Sequence, residues 1–483
     1  MKREFISNIG YLIFLNLLVK PFWILGIDRS VQNLVGPAEY GIYFSIFNFA
    51  YLFQVVLDFG INNFNNRHIA QQPGRLQQYF FSTFLVKCLF TVAYSILVFV
   101  VAFGIQFNQY QIQILLLMVC MQIVMSFYSF LRSNVAALHL FKTDAVLSVL
   151  DKFIAILICA FLLWSGQSKY VMNIENYIYA QIIASILVCF AGIYVIIRKT
   201  PIQIVFKREL VFEVIQKAFP FALLTFLMTV YYRIDAVMIE RMLGENGNLE
   251  AGIYASGYRL LDACNVLGIL FAAVLLPMFS RMIENKNNVQ PLVDVTHNIM
   301  LVASVPFGIA CIIFRNEIMQ TLYTGANAYY GEIFGWLMVS FICISMIYIY
   351  GTLLTSNGNL RILNQMALFG MLLNILLNFF FIQYFAALGA AIATVITQVI
   401  ILFLHLFFSY KLLGLRFYLK KWGRSFFFIV ITISTIYGIS LLPLSLFFSI
   451  FLSMLTGIIL ALLLRMFSLR DVKNTFLIYL NRG

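Results

Sequence analysis

Residues 361–410 read RILNQMALFGMLLNILLNFFFIQYFAALGAAIATVITQVIILFLHLFFSY, and Arg361 is the only Asp, Glu, Lys or Arg among them. A helix that crosses a bilayer needs about 20 predominantly apolar residues. The stretch is therefore long enough for two such helices, which we place at 361–382 and 384–410. So long an uncharged stretch is typical of a membrane protein.

The whole chain has the same character. Hydrophobic residues make up 62% of its 483 residues and charged residues 11%, whereas a soluble globular domain has about 45–50% and 25%. The mean hydropathy is +0.93. Too few polar side chains are present to cover a water-facing surface, which excludes a large soluble domain. We predict an all-α, polytopic membrane protein.

Apolar windows along the chain predict about 14 transmembrane helices. The fifth window is short and the last two are separated only by Leu442-Pro443, so thirteen or fifteen helices remain open. The first window has no A-x-A cleavage site and is interpreted as a retained helix. The predicted helices cover residues 8–27, 41–59, 79–103, 111–131, 152–165, 174–197, 218–239, 252–279, 297–314, 333–355, 361–382, 384–410, 425–441 and 443–464.

Lysines and arginines are distributed unevenly between the connections. Lys152 and Arg361, the first residues of two predicted helices, are counted with the connections before them. The N-terminus and every second connection after it then hold 24 of the 32, the other connections hold four, and four lie deeper within predicted helices. Because cytoplasmic connections carry an excess of Lys and Arg, both termini are predicted to be cytoplasmic. Basic anchors beside anionic membrane lipid also account for the net charge of +13. Nucleic acid is not needed as a partner.

An internal repeat supports this topology. Glu39-Tyr40-Gly41-Ile42-Tyr43 precedes or opens the second predicted helix, and Glu250-Ala251-Gly252-Ile253-Tyr254 does the same at the eighth. Six helices separate the two motifs, and an even number of crossings gives two units of parallel orientation. Parallel repeats related by an axis along the membrane normal are one architecture of secondary transporters, with the substrate site between the halves.

Four groups of motifs, in order from about residue 36 to 400, resemble the bacterial polysaccharide-biosynthesis exporters. These form the polysaccharide transporter branch of the multidrug/oligosaccharidyl-lipid/polysaccharide exporter superfamily. No motif is specific alone, whereas the ordered set is. The motifs are Gly36-Pro37-Ala38-Glu39-Tyr40-Gly41-Ile42-Tyr43 with Asp58-Phe59-Gly60; Phe219-Pro220-Phe221 with Tyr231, Tyr232 and Asp235; Leu276-Pro277 with Ser280-Arg281; and Asn357-Gly358-Asn359 with Asn374, Asn378 and Gly389-Ala390-Ala391-Ile392-Ala393-Thr394.

The resemblance implies a fold and an activity. The fold would be two parallel six-helix lobes in a V, residues 1–200 and 201–412, followed by two more transmembrane helices and a cytoplasmic tail in 413–483. The activity would be that of a flippase, moving undecaprenyl-diphosphate-linked oligosaccharide across the bacterial cytoplasmic membrane by alternating access. Its partners would be this lipid-linked substrate, membrane lipid, a coupling H⁺ or Na⁺, and polysaccharide assembly proteins.

Ionisable residues inside predicted helices are candidate functional residues, since each costs about 2.5–3.5 kcal/mol at a helix centre. Lys20, Arg233 and Arg259 are interpreted as cavity cations that bind the diphosphate, because forked or ammonium donors suit phosphate oxygens. Asp235 and Asp262 are the candidates for ion coupling. A structural alternative stays open, in which Arg233 pairs with Asp262 and Arg259 with Asp235.

A polar stripe follows one face of the second predicted helix. Asn48, Tyr51, Gln54 and Asp58 recur at three- or four-residue spacing, and in lipid such a face must contact protein or water. The first three are predicted to contact sugar hydroxyls, with hydrogen bonding between helices as the alternative.

Asp58 and Lys87 are candidate gating residues near the predicted cytoplasmic side. Asp58 either pairs with Arg67 at the helix end or serves as a cytoplasmic gate latch. Lys87 is interpreted mainly as a snorkelling side chain that extends toward the cytoplasm.

Enzymatic chemistry is not predicted. The seven cysteines and four histidines are scattered without metal-ligand spacing, no P-loop is present, and no outward connection is long enough for a catalytic domain. We therefore predict neither metal nor cofactor. Two alternatives remain: a cation-coupled multidrug antiporter of the same superfamily, which the intramembrane bases argue against, and an integral-membrane polysaccharide polymerase or acyltransferase. A peptidoglycan-precursor flippase is poorly separated from the main hypothesis.

Overall fold

A computed structural model describes residue 10 and residues 14–64, 76–165, 172–200 and 208–466, with the backbone alone at 63–64, 78–79 and 208–221. The N-terminal residues, Arg67, the C-terminal tail and the side chains of Phe219-Pro220-Phe221 therefore lie outside the described part. By packing, the chain divides into unit 1, Met1–Gly252, and unit 2, Ile253–Gly483.

Unit 1 is built from helices throughout its described residues. The first, α1, covers residues 14–35 and contains a π-helical turn at Trp23–Asp28 followed by Arg29–Val35. The others are α2 (Pro37–Leu52), α3 (Gln54–Asp58), α4 (Ile61–Phe64), α5 (Leu76–Gly104), α6 (Gln109–Ala137), α7 (Phe141–Trp164), α8 (Ile174–Lys199) and α9 (Arg208–Met242).

A short 3₁₀ turn, Gly244–Asn246, leads into α10 (Gly247–Glu284), which continues into unit 2. The remaining helices are α11 (Gln290–Ile313), α12 (Arg315–Leu322), α13 (Ala328–Ser356), α14 (Leu360–Leu413), α15 (Leu419–Ser440) and α16 (Leu446–Leu463). No strand occurs in the described residues.

Eleven helices of the described part are long and apolar enough to cross a membrane. The all-α, polytopic prediction is thereby confirmed. The eleventh and twelfth predicted helices are the two segments of α14, which a break separates, and the second predicted helix is interrupted. α2 ends at Leu52, Phe53 leaves helical geometry, and α3 ends where Phe59 takes a positive φ of 41°. The predicted second helix, 41–59, is therefore two helices rather than one.

α14 contains a break at Ala386, where φ is 50° and ψ is −132°. A non-glycine residue rarely adopts such angles. The break falls three residues after the predicted boundary at residue 383, inside the helix predicted at 384–410. A β-carbon on Gly389 would lie 2.1 Å from the carbonyl oxygen of Phe381. The Gly389-Ala390-Ala391 motif thus permits a close approach within α14 itself.

In unit 1, α6 packs on α8, α7 on α8, and α2 on both α6 and α9. The repeated motifs meet here: a β-carbon on Gly41 would lie 1.8 Å from the carbonyl oxygen of Asn248, and one on Gly252 would lie 1.8 Å from that of Pro37. The side chain of Gln32 donates to the Gly252 carbonyl at 2.9 Å. The start of α10 is therefore held in unit 1 by backbone-to-backbone contact with α2.

In unit 2, α11 packs on α13, α15 and α16, and α13 packs on α14. The last two helices, α15 and α16, also contact each other. A β-carbon on Gly457 of α16 would lie 2.4 Å from the Pro306 ring of α11. The helices predicted beyond residue 413 thus pack on α11. The predicted ends of the two repeated lobes, at residues 200 and 412, stay a prediction.

Candidate functional site

The polar stripe lies along α2 and α3 and continues across the break at Phe53. Asn48 is buried, and its Nδ2 donates to the Phe44 carbonyl at 2.7 Å. Its Oδ1 has no hydrogen-bond partner among the described residues. Tyr51, Gln54 and Asp58 are half-buried. The break changes the helix course between Tyr51 and Gln54, so the sugar-contacting role of the stripe stays a prediction.

The carboxylate of Asp58 and the ammonium of Lys87 form a pair between α3 and α5. Lys87 Nζ lies 3.5 Å from Asp58 Oδ1, and the two side chains are 0% and 28% exposed. The ammonium also donates to the Leu57 carbonyl at 3.1 Å and lies 5.7 Å from the centroid of Phe130. The snorkelling prediction for Lys87 is wrong, because its side chain is enclosed by protein at a helix end that exposes a carbonyl.

A second charged cluster joins α1, α6 and α7. Lys20 is half-buried and lies in the electrostatic field of Arg132, Asp151 and Lys152. Arg132 Nε donates to Asp144 Oδ1 at 2.8 Å, and Lys152 Nζ lies 3.8 Å from Asp151 Oδ2. We call Lys20, Arg132 and Lys152 the cationic cluster. Two of its three cations are thus paired with carboxylates.

Aromatic rings support this cluster. Lys152 Nζ lies 4.8 Å from the centroid of Trp23, and the Arg132 guanidinium lies 5.5 Å from that of Tyr128. The Tyr128 hydroxyl donates to the Leu147 carbonyl at 2.8 Å. A cation over an aromatic face gains electrostatic stabilisation, which offsets part of the cost of holding these cations away from water.

Sequence reasoning missed Lys152 and Arg132. It started the fifth helix at residue 152, whereas α7 begins at Phe141 and places Lys152 near its midpoint. The signal that could have found Lys152 was the short predicted length of 152–165. A helix that must span about 20 residues has to extend backward from residue 152, because Gly166 and Lys169 follow its other end.

Arg233 and Asp235 lie on α9 in unit 1. Asp235 is buried, and Arg233 is half-buried with its guanidinium 5.5 Å from the centroid of Tyr51. The structure thus brings two predicted site residues together, a cation of α9 and an aromatic residue of the polar stripe. A cation over an aromatic face gains electrostatic stabilisation.

Arg259 and Asp262 lie on α10 in unit 2, and both are half-buried. The predicted pairing of Arg259 with Asp235 and of Arg233 with Asp262 joins residues of different units and stays a prediction.

In unit 2, Asn378 Nδ2 donates to Asn374 Oδ1 at 3.0 Å. The two asparagines therefore bond to each other along α14.

Asp28 is a buried carboxylate at the end of the π-helical turn. The Tyr40 hydroxyl lies 2.8 Å from each of its oxygens, and the Tyr177 hydroxyl donates to Oδ1 at 2.5 Å. Tyr177 also stacks on Trp23, with ring centroids 5.5 Å apart. Since Trp23 carries Lys152 on its ring, ring contacts connect Asp28 to the cationic cluster. Counting Asp28, three carboxylates face the three cations.

Metal chemistry has no geometric support in the part of the chain that the structure describes. No group of three or more His, Cys, Asp or Glu residues there is placed to hold a metal ion. All seven cysteines are free thiols. His297 bonds to Tyr350 at 2.9 Å, and His405 to the Ile401 carbonyl at 2.8 Å.

The sequence profile of the family described as "Polysaccharide biosynthesis protein" matches residues 5–283. The match covers more than half of the chain. The chain belongs to this family. The resemblance inferred from the ordered motifs is thereby confirmed. None of the curated protein sequences compared with the chain matches it.

Solved structures share the fold. The lipid II flippase MurJ, in an inward closed conformation, superposes with a TM-score of 0.72 at 17% identity, covering 94% of this chain and 99% of its own. An inward-facing multidrug resistance MATE family transporter of the MOP superfamily has a TM-score of 0.62 at 12% identity. The match covers 83% of this chain and 98% of the transporter. A MOP superfamily transporter from Pyrococcus furiosus has a TM-score of 0.61 at 12% identity. The match covers 85% of this chain and 95% of that transporter.

These similarities establish the fold of a MOP superfamily transporter. The neighbours are flippases and transporters rather than enzymes. At these identities the fold itself does not separate a lipid substrate from a drug.

Proposed function

We propose that the protein is a flippase for undecaprenyl-diphosphate-linked oligosaccharide in the bacterial cytoplasmic membrane, working by alternating access. The observation that carries the proposal is the cationic cluster of Lys20, Arg132 and Lys152, half-buried in unit 1 of a polysaccharide-biosynthesis family member. Three cations held at one place, two of them paired with Asp144 and Asp151, favour an anionic substrate. A lipid diphosphate is the anion common to such glycan carriers.

Each predicted site residue has a role in this hypothesis. Lys20, with Arg132 and Lys152, attracts the diphosphate in unit 1, and Arg233 and Arg259 bind it at later stages of the transport cycle. Charge-assisted hydrogen bonds from guanidinium groups to phosphate are short and strong. Asn48, Tyr51 and Gln54 contact the sugars, since amides and hydroxyls match sugar hydroxyls.

The acidic residues are assigned to energy coupling and gating. Asp235 and Asp262 bind or release the coupling H⁺ or Na⁺, because intramembrane carboxylates commonly form such pathways. The Asp58–Lys87 pair holds α3 to α5 and opens as a cytoplasmic gate latch. Polysaccharide assembly proteins would deliver and receive the substrate at the two membrane faces.

A direct transport assay tests the proposal. The protein is reconstituted in liposomes with a fluorescent undecaprenyl-diphosphate oligosaccharide, and the fraction transferred between leaflets is followed for wild type, Lys152→Gln and Arg259→Ala. Lys142→Gln is the matched control, since Lys142 is an exposed cation on the same helix as Lys152. We expect transfer by wild type and the control, and at least a tenfold slower rate in the other two variants.

Other outcomes assign the protein differently. Transfer that is equal in all four proteins would remove the diphosphate role of Lys152 and Arg259 while keeping the flippase. No transfer under any ion gradient, together with export of a cationic dye, would indicate the multidrug antiporter, whose fold is shared.

A further inference from the structure

A polar cluster joins α6 and α9 at one end of unit 1. Gln111 lies in the first turn of α6, and Glu240 and Arg241 lie in the last turn of α9. Gln111 and Glu240 are buried, and Arg241 is half-buried. Because the connections next to these residues belong to the set poor in Lys and Arg, this end is predicted to face outside. We call the three residues the outer latch.

Local sequence fixes the Gln111 side chain at the start of α6. Asn108 and Gln111 form a capping box: Asn108 Oδ1 accepts from the Gln111 backbone amide at 2.9 Å, and Gln111 Oε1 accepts from the Asn108 backbone amide at 3.0 Å. A capping box satisfies two backbone donors that a helix start would otherwise leave free. It also sets the direction of the Gln111 side chain, whose amide nitrogen stays available for a partner on another helix.

The outer latch consists of short contacts. Gln111 Nε2 donates to Glu240 Oε1 at 2.7 Å, and Gln111 Oε1 accepts from Arg241 Nη2 at 2.8 Å. Arg241 Nη1 also donates to the Ile105 carbonyl at 3.2 Å, and its guanidinium lies 4.3 Å from the centroid of Phe107. These contacts link the end of α9 to α6 and to the connection that precedes it.

Opening these contacts would leave no uncompensated charge. Arg241 Nε donates to Glu240 Oε2 at 2.6 Å, and both residues belong to α9. The ion pair therefore stays on α9 when α6 moves away, and only the neutral Gln111 loses its partners. Breaking a buried ion pair is costly because one charge is left without its partner. A neutral amide that contacts an intact ion pair avoids this cost, which is what a reversible contact requires.

The neighbouring contact between α2 and α10 is also one that can separate. These helices approach each other at Gly41 and Gly252, where backbone lies against backbone. At these two glycines no side chains interlock, so the helices can part without a change of rotamer. Gln32 adds a side-chain bond there, donating from Nε2 to the Gly252 carbonyl at 2.9 Å. Side-chain bonds such as those of Gln111 and Gln32 therefore supply the directional attachment at this end.

The residue before Gln111 has partners of a different kind. The Tyr110 hydroxyl donates to Glu39 at the start of α2, and Glu175 in the first turn of α8 also interacts with it. Helices α2, α6 and α8 belong to the first predicted lobe, 1–200, whereas α9 and α10 begin in the second. The bonds of Tyr110 therefore lie within one predicted lobe, and those of Gln111 cross to the other.

We propose that the outer latch holds α6 to α9 while the outer side is closed, and that it opens in each transport cycle. The proposal rests on the proposed function, because alternating access requires the two repeats to move against each other. The latch opens at Gln111, while Glu240 and Arg241 stay paired on α9. All three are positioning residues, since none of them is assigned to the substrate.

Distance measurements test the proposal without requiring transport. Spin labels are attached through a ketone-bearing amino acid, which avoids the native thiols, at the exposed positions Gln109 and Glu245. Double electron–electron resonance in nanodiscs then compares wild type with Gln111→Leu. We expect the population with a longer distance to rise about fivefold or more, because the variant loses two hydrogen bonds. Gln113→Leu is the matched control, since Gln113 is exposed on the same helix, and should give the wild-type distribution.

A second variant guards against a local effect of the first. Arg241→Gln removes the contacts with Gln111, Ile105 and Phe107 together, and it should also raise the population with the longer distance. Folding is checked by elution as a single species, and melting temperatures in detergent distinguish opening from unfolding. Lower melting of both variants with unchanged distances would indicate a static clamp and overturn the proposal.

A reversible crosslink connects the latch to transport. Gln111→Cys and Glu240→Cys are combined and bridged by a bifunctional thiol reagent that a reductant removes. Wild type treated in the same way reports reaction at the native thiols. We expect the bridged protein to transfer the lipid-linked oligosaccharide about tenfold more slowly or less, and to recover after reduction.

The outcomes separate this proposal from the proposed function. Undiminished transfer by the bridged protein would overturn the latch and leave the flippase intact. Longer distances in Gln111→Leu and Arg241→Gln, in a protein that never transfers the substrate, would support the latch and contradict the flippase.

Discussion

Gly41 and Gly252, which occupy the same position in the two copies of a repeated motif, pack against each other's helices. A β-carbon on Gly41 would lie 2.8 Å from the amide nitrogen of Gly252 and 1.8 Å from the Asn248 carbonyl oxygen. These contacts involve backbone atoms, which cannot rotate away as a side chain can. The repeat is therefore a contact between α2 and α10 as well as a sign of internal symmetry.

Gly252→Ala should destabilise unit 1 strongly. Over-packing a tight site costs about 1–3 kcal/mol, and more where the neighbour cannot move. Gly438→Ala is the control, because a β-carbon at that helical position would meet nothing within 4 Å. Melting temperatures in detergent should fall for Gly252→Ala and stay equal or rise for Gly438→Ala. Equal melting of Gly252→Ala and wild type would contradict the close contact.

Removing one partner of the Asp58–Lys87 pair should destabilise the protein more than removing both. Breaking a buried pair leaves an uncompensated charge and costs about 3–5 kcal/mol, whereas an apolar replacement of both partners is often neutral. The loss in Lys87→Met should be below that range because Asp58 is 28% exposed. Melting temperatures of Lys87→Met, Asp58→Leu and the double variant form the cycle that measures the coupling.

The gating role of this pair makes a separate prediction. If the pair is only structural, the double variant should recover both stability and transport. If it is a gate latch, the double variant should recover stability but transport at an altered rate, because the closed state loses its ion pair. We expect the second result in the liposome assay.

The hydroxyl of Tyr177 should stabilise unit 1 through Asp28. Tyr177→Phe leaves the ring stacked on Trp23 but removes one donor to the carboxylate. A hydrogen bond to a charged group contributes about 1.5–3 kcal/mol, so the melting temperature should fall. Tyr179→Phe, at an exposed position two residues away, should melt like wild type. Identical melting of both variants would show that Asp28 does not depend on this donor.

The predicted orientation can be tested at the two ends of α10. Glu245 and Lys286 are exposed and flank this helix. Because the distribution of Lys and Arg places residue 286 on the cytoplasmic side, a membrane-impermeant maleimide should label Glu245→Cys in intact cells. It should label Lys286→Cys only after permeabilisation. Wild type reports the background from the seven native thiols. The reverse pattern would invert the predicted topology.

Several features followed from the sequence because they are local. The apolar length of a helix and the absence of charge in 361–410 are read along one segment, and a bilayer requires that length of every crossing. Even the break between the eleventh and twelfth helices was placed close to Ala386. The family followed from motifs whose order could be read without knowing which helices touch.

Interruptions within helices were less accessible to sequence reasoning. Phe53 lies in a stretch whose composition does not distinguish a straight helix from a broken one. The helix that follows the break, α3, contacts α5, where Lys87 bonds to the carbonyl of Leu57. The second helix was therefore predicted as continuous.

The sequence by itself determined that this chain is a multi-pass helical membrane protein of the polysaccharide-biosynthesis family. Only the tertiary structure decided which charges pair: Lys87 with Asp58, and Arg132 with Asp144. The physical reason is that a bilayer selects for length and polarity along each segment, whereas a pairing depends on how neighbouring helices are rotated. That rotation is set by close contacts between helices, such as those of Gly41 and Gly252, which a one-dimensional pattern does not contain.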